Sequence, residues 1–371
     1  MTIIFTVTND LTYDQRMQRI CRSLAAHGYT VELVGRQLPK SVPLNDQPYE
    51  QKRLQCRFQR GFPFYAEYNL RLFIYLLTAK YDAVCSIDLD TLAAGCLATL
   101  LRRKKRVFDA HEYFTEVPEV VHRPLVRSFW GLVARVSLPF YKYAYTVGPA
   151  LAGIFEEKYG MAFAVVRNTP VVAPFTGAPV KGATTENTEV PVLLYQGALN
   201  AGRGLEAAIT AMQQMENVQL WLTGEGDLSS TLRQLTIQLG VQDKVRFLGF
   251  VQPEELRMLT AQAWVGLNLL ENRGQSYYYS LANKFFDYVQ AGVPVLTMNF
   301  PEYRALNSQY EVAVLLEELS PDSVATAVRL LRDNESLFAR LQMGCRQSRK
   351  IWTWAADEQV LLEVWGKVLH S

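Results

Sequence analysis

Apolar positions along the chain follow two alternating rhythms. Short runs rich in β-branched residues, at 3–7, 30–34, 83–87, 107–109 and 145–147, read as strands. Between them lie longer stretches with apolar residues three and four apart, which read as helices. These are 13–27, with Met17, Ile20, Leu24 and Ala25 on one stripe, then 67–79, 91–101, 125–138 and 150–158. Residues 171–190 carry Pro, Gly, Thr, Lys and Glu without a period, and read as a linker. The alternation then restarts. Strands are expected at 191–196, 218–223, 245–248, 265–269 and 294–298. Helices are expected at 205–214, 228–239, 253–261, 282–290, 323–332, 338–349 and 352–369.

Apolar strands alternating with amphipathic helices predict parallel sheets covered on both faces. Two such arrays predict an α/β chain of two doubly wound, Rossmann-like domains facing each other across a cleft. The expected boundaries are 1–170 for the first domain, 171–190 for the linker and 191–350 for the second. A terminal helix over 351–371 is placed to pack back toward the first domain.

Composition narrows the classes. With 371 residues, 49% hydrophobic and 20% charged, the chain is an ordinary folded protein of two or three domains' length. A net charge of +2 gives no global pull toward nucleic acid. Five scattered cysteines, Cys21, Cys56, Cys85, Cys96 and Cys345, form no CxxC pair, which argues for a reducing compartment and a cytoplasmic protein. No signal peptide is expected, and no run approaches the ~20 apolar residues that span a bilayer. His27, His111, His122 and His370 stand apart, so a zinc site is not expected.

Three segments carry candidate chemistry. Tyr195-Gln196-Gly197-Ala198-Leu199-Asn200-Ala201-Gly202-Arg203-Gly204 follows the first strand of the second array and opens a helix. Gly197, Gly202 and Gly204 let backbone approach a phosphate, and Arg203 supplies a fork of donors for diphosphate oxygens. A tight turn with an exposed arginine is the plainer reading. Gly224-Glu225-Gly226-Asp227 makes a second glycine turn on the same sheet edge. In Asn283-Lys284-Phe285-Phe286-Asp287, Lys284 and Asp287 share a helix face. That spacing suits a cation on phosphate and a carboxylate on a ribose diol, or a surface salt bridge of little worth.

With these segments the second half, over roughly 190–300, resembles the donor-binding domain of retaining GT-B glycosyltransferases of family 4. The succession also includes Val245-Arg246-Phe247-Leu248-Gly249-Phe250 and Gly292-Val293-Pro294-Val295. The resemblance implies that Asp287 holds the donor ribose, where the family usually has Glu. It implies that Arg203 and Lys284 hold the diphosphate, and that Gly226 and Phe250 lie near the nucleobase. Two positions depart. Ala198 stands where the family often has Arg, and Tyr279 where it has a second Glu, with Glu271 the nearest upstream acid.

The first half resembles the acceptor-facing domain more loosely, through Asp14-Gln15-Arg16-Met17, Val107-Phe108-Asp109-Ala110-His111-Glu112 and Arg167-Asn168-Thr169-Pro170. His111 is the catalytic candidate weighed hardest, to hydrogen-bond the donor sugar or handle the acceptor proton; a histidine that fixes a loop is the alternative. Glu112 and Glu116 stand on the same loop as a base or a helix cap, and Asp88 and Asp90 end a neighbouring strand. Basic and aromatic residues at 102–106 and 123–143 suit either a solvated face or peripheral contact with the inner face of a membrane.

The resemblance implies transfer of a sugar, with retention, from a nucleoside diphosphate sugar to an acceptor hydroxyl in surface polysaccharide or glycoconjugate assembly. Catalysis would rest on His111, Glu112, Arg203 and Lys284. The nucleotide sugar is a co-substrate, and neither a separate cofactor nor a metal is expected. The acceptor is a sugar, a lipid-linked glycan or a protein, and no nucleic acid partner is expected. Rival readings are a non-catalytic GT-B subunit that binds a partner or a sugar nucleotide, and a sugar-nucleotide epimerase.

Overall fold

In the computed structural model, residues 1–171 and 190–370 are described. All but the ends of the expected 171–190 linker lies outside them. Contacts divide the chain into two units. One holds Met1–Arg167 with Gly274–Ser276 and the chain from Asp357 onward; the other holds Asn168–Arg273 and Tyr277–Ala356.

The first unit is built on seven strands: β1 (Thr2–Thr6), β2 (Thr30–Gln37), β3 (Glu50–Gln55), β4 (Ala83–Ile87), β5 (Lys105–Ala110), β6 (Tyr143–Thr146) and β7 (Phe163–Val165). They pair in parallel in the order β3-β2-β1-β4-β5-β6-β7. β1 shows why the sheet is covered on both faces. Ile3, Ile4 and Phe5 point alternately to either side, yet all three are fully buried. The long helix before β4 begins at Gly61 and runs to Thr78, six residues earlier than its apolar run suggests.

The second unit carries β8 (Val192–Gln196), β9 (Gln219–Thr223), β10 (Val245–Gly249), β11 (Val265–Asn268), β12 (Val295–Met298) and β13 (Ala313–Leu316). Their order is β10-β9-β8-β11-β12-β13, again all parallel. Both sheets are Rossmann-like. Each reverses strand order next to its first strand, at β1/β4 and at β8/β11, and ligands of such sheets bind beyond the strand carboxyl ends at those points.

β3, β7, β13 and the Pro301–Gln309 helix have no counterpart in the sequence pattern. β3 is the polar run Glu-Gln-Lys-Arg-Leu-Gln on a sheet edge, half-buried with no apolar alternation to betray it. β7 and β13 are edge strands of three and four residues. From Asp357 onward the last helix, Trp354–His370, belongs to the first unit: the Trp365 ring centroid lies 5.4 Å from that of Phe5, and Lys105 Nζ donates to the Leu369 carbonyl at 2.9 Å.

Candidate functional site

Two clusters form at strand carboxyl ends, one in each unit. In the second unit β8 runs into Gly197, whose φ of 130° lies outside the range of ordinary residues. A Cβ there would lie 3.4 Å from Lys284 Nζ, so the missing side chain leaves room for the ammonium. The turns after β8 and β9 interlock: Gly197 N–H donates to the Thr223 carbonyl at 3.0 Å, and Asp227 N–H to Asn200 Oδ1 at 3.1 Å. Gly226 belongs to that lock, because a Cβ on it would fall 2.3 Å from Asn200 Oδ1. Gly202 lies under Tyr277 and Arg273, and Gly204 precedes the short Leu205–Ala211 helix.

Lys284 comes from the Asn283–Ala291 helix. That helix is pinned to β8 by Tyr288, fully buried, whose hydroxyl donates to the Leu194 carbonyl at 2.8 Å and accepts from Gln196 N–H at 3.1 Å. Lys284 Nζ stands 3.7 Å from the centre of the Tyr195 ring, and the Arg203 guanidinium 5.1 Å from that of Tyr277. Tyr195 in turn spans the glycine turn, donating to the Ala198 carbonyl at 2.7 Å. Both cations therefore rest on aromatic faces.

Among the described residues neither cation has a carboxylate within ion-pairing distance, so the surface salt bridge open in the sequence does not form. Burial first, then the charge of Arg203, pushes the Lys284 ammonium well below the ordinary lysine range, with Asp287 opposing. Two positive groups held together without a counter-ion make a site that favours an anion. Asp287, on the same helix face, accepts from Gln196 Nε2 at 3.0 Å, and Gln196 Oε1 accepts from Thr260 at 2.8 Å. Phe250 follows β10 and is 63% exposed.

In the first unit β5 delivers Asp109 and His111. Asp109 is fully buried and accepts from Arg16 Nη2 at 2.9 Å and from His111 Nε2 at 2.9 Å. Burial opposes its ionisation, but Arg16 and His111 outweigh burial and hold the carboxyl below its ordinary value. Asp88 sits at the junction of β4 and its helix with φ of 52°, a left-handed conformation that costs a non-glycine residue about 1 kcal/mol. Its carboxylate accepts from His111 N–H at 2.8 Å. Burial raises its pKa well above the usual range, only partly offset by His111.

Burial lowers the His111 pKa, yet Asp109 and Asp88 reverse the shift and raise it overall, favouring the imidazolium. Nε2 is committed to Asp109, whereas Nδ1 lies 4.0 Å from Asp88, too far for a hydrogen bond. The ring thus fixes the loop and keeps one N–H for another acceptor. Glu112 is exposed beside it. Glu116, by contrast, is buried and ion-paired with Arg127 on the Pro124–Ser137 helix, an anchor for that helix. Asp90 accepts from Thr8, and burial lifts its pKa to about 6.

Comparison with known proteins follows the same division. Residues 15–169 match the model of Glycosyltransferase Family 4, and residues 180–348 match that of Glycosyl transferases group 1. The chain belongs to the GT-B glycosyltransferases of the family 4 type. A lipopolysaccharide core biosynthesis glycosyltransferase, LpsD of Rhizobium meliloti, is 30% identical over 48% of this chain and 51% of its own. The chain thus spans about half the length of that relative. Sucrose-phosphate synthase from Thermosynechococcus elongatus shares the fold with a TM-score of 0.80 at 16% identity, covering 100% of this chain and 99% of its own. Anabaena HepE, solved in complex with UDP and glucose, gives 0.74 at 13%, covering 99% and 100%.

For a family 4 chain the site has both expected and unexpected parts. Ala198 leaves the first turn without a second arginine, and Tyr279 packs edge-on against Tyr278 with ring centroids 4.9 Å apart. Glu271 returns to the glycine turn instead: its N–H donates to the Gly202 carbonyl at 3.0 Å, and its side chain pairs with Arg273. The sequence motifs include Tyr195, Gln196 and Arg16 without giving them a role, and they omit Tyr277; Tyr195, Tyr277 and Gln196 seat the charged groups, and Arg16 lies 93 positions from its partner Asp109. Tyr195 and Gln196 adjoin Gly197, so proximity to the turn was the one available signal.

Proposed function

We propose that this chain transfers a glycosyl group from a nucleoside diphosphate sugar to an acceptor hydroxyl, in lipopolysaccharide or other surface glycan assembly. The observation that carries this reading is the pair Arg203 and Lys284, cations seated on tyrosine rings with no carboxylate within ion-pairing distance among the described residues. A departing diphosphate supplies that neutralisation, and negative charge accumulates on it as the glycosidic bond breaks. The two cations then stabilise the leaving group without proton transfer and without a metal ion. Asp287, with one oxygen held by Gln196, accepts from the ribose hydroxyls. His111 donates through Nδ1 to an oxygen of the sugar undergoing transfer, and Glu112 stands beside it for the acceptor. Retention at the anomeric carbon is part of the proposal. The reading draws on the relative named for lipopolysaccharide core biosynthesis and on the UDP and glucose complex of the Anabaena protein.

The test is a thermal-shift panel of UDP-, GDP-, ADP- and TDP-sugars, followed by product analysis with the stabilising donor. A ligand that binds only the folded chain raises its apparent stability, by about 2.7 kcal/mol at a hundredfold excess over Kd. One nucleotide family should raise the melting temperature, and its sugar should appear on an acceptor or, slowly, in water. No shift with any of the four would refute the reading. Ala198 and Tyr279 favour a second reading, a subunit that binds a sugar nucleotide without turnover; it predicts the shift with no transfer and no hydrolysis.

A further inference from the structure

Arg16 stands where a cation is costly. It lies in the first turn of the Gln15–Ala26 helix, the end of the helix dipole that repels positive charge, and it is only 5% exposed. Burial opposes its charge, and the neighbouring Asp109 outweighs burial. An ion pair in the interior adds little net stability over apolar residues of the same size, because both charges give up their water. Packing alone does not call for an arginine at this position.

The guanidinium clamps one carboxylate. Nη2 donates to Asp109 Oδ1 at 2.9 Å and Nε to Oδ2 at 3.4 Å, a two-pronged grip that a lysine does not reproduce. Nη1 donates to the Val166 carbonyl at 2.8 Å, and the guanidinium carbon lies 5.9 Å from the centre of the Tyr145 ring. One side chain of the first helix thus reaches the carboxyl ends of β5, β6 and β7. Asp109 Oδ2 is also the oxygen bonded to His111 Nε2, at 2.9 Å. With both oxygens gripped, the plane of the carboxylate is fixed, and the His111 ring has one acceptor in one direction. Its other nitrogen, Nδ1, stands 4.0 Å from Asp88, beyond hydrogen-bond reach.

We propose that Arg16 is a positioning residue for the transfer reaction: it clamps both oxygens of Asp109, and Asp109 in turn holds the His111 ring in the one orientation that leaves Nδ1–H free to donate. The inference rests on the reading in which His111 donates to the transferred sugar, and it adds the group that acts through His111. Arg16 also sets how tightly the imidazolium is held. Burial opposes charge on Asp109 and on His111 alike. Against that background Arg16 favours the carboxylate and opposes the imidazolium, so the carboxylate is shared between two cations. The other ionisable groups around the pair are Asp88 and Asp90 on the helix after β4, Glu112 on the His111 loop, and Tyr145 and Cys85, which face Asp109 from β6 and β4.

The test is the nitrogen-15 spectrum of the histidine rings of the full chain against pH, in the parent, Arg16→Met and Arg16→Lys. The chain has four histidines, and the His111 ring is assigned by its loss in His111→Gln. In the parent Nε2 carries a proton throughout, and the ring titrates above the ordinary histidine value. In Arg16→Met the midpoint should move further up, because a cation that opposed the imidazolium is gone; Arg16→Lys should return it toward the parent. Turnover in Arg16→Met should fall about tenfold or more while KM for the donor stays within about twofold, since a misplaced catalytic group costs kcat rather than binding. The alkaline limb of the kcat profile should move up with the ring. A purely structural arginine would lower the melting temperature and leave both midpoints where they are. An unmoved His111 midpoint in folded Arg16→Met, or an unchanged kcat, would overturn the proposal. Should the methionine variant not fold, Arg16→Gln keeps a donor toward Asp109 and is read in the same way. The spectrum needs no donor, so it separates the two readings: a shifted midpoint in a chain that transfers nothing would support the clamp and refute the transferase.

Discussion

Lys284 places a half-buried, desolvated ammonium next to an arginine, an arrangement that opposes folding in the absence of ligand. Its folded-state pKa is depressed relative to the unfolded chain, so the unfolded state binds more protons between those values and stability rises with pH across that window. Lys284→Met keeps the length of the side chain and removes the charge. It should stabilise the unliganded protein by about 1 kcal/mol at neutral pH, as relief of functional strain does, while weakening diphosphate binding. Chemical denaturation of the two proteins measures the difference; loss of stability would show that the ammonium is satisfied in the free chain. His111 has the opposite sign. Its folded pKa is raised, so its contribution to stability is full below the ordinary histidine value and is lost as pH rises through the folded value. His111→Ala should reduce kcat by about 100-fold or more, the usual range for a lost proton-donating group. The residue identities of both clusters were legible in sequence because glycine turns and strand ends mark them. The tyrosines beneath the cations and the Arg16–Asp109 pair were not, because nothing local distinguishes an aromatic that seats a lysine from one that fills a core.

At the level of elements, the site depends on the Asn283–Ala291 helix keeping its register against β8. Tyr288 fixes that register through two hydrogen bonds to the strand, and Gly266 of β11 accommodates its ring: a Cβ there would fall 2.2 Å from it. Tyr288→Phe should cost about 1 kcal/mol for the lost hydroxyl, and it should raise KM for the donor because Lys284 and Asp287 travel with the helix. Unchanged KM in steady-state kinetics would show that the helix is held elsewhere. The central strands were readable because burial on both faces makes them continuous apolar runs. The edges were not: β3 is polar, and β7 and β13 are too short to establish a period.

Over the whole molecule, two sheets that share the order of their first six strands each gather charged groups near the point where strand order reverses. From Asp357 onward the Trp354–His370 helix belongs to the first unit, and its role there is structural. Trp365 is fully buried against Phe5 of β1. Trp365→Ala should destabilise the first unit by about 3–5 kcal/mol, the usual range for an emptied aromatic site. A two-step unfolding curve in which only one transition moves would report it, and a single unmoved transition would contradict it. The central claim remains the diphosphate site of the second unit. Calorimetric titration of the nucleoside diphosphate that the thermal panel selects, into the parent chain and into Arg203→Ala with Lys284→Ala, tests it most directly. The account predicts that the double variant loses most of the affinity for the diphosphate while its weak affinity for the bare nucleoside is unchanged; equal diphosphate affinity in both proteins would contradict it.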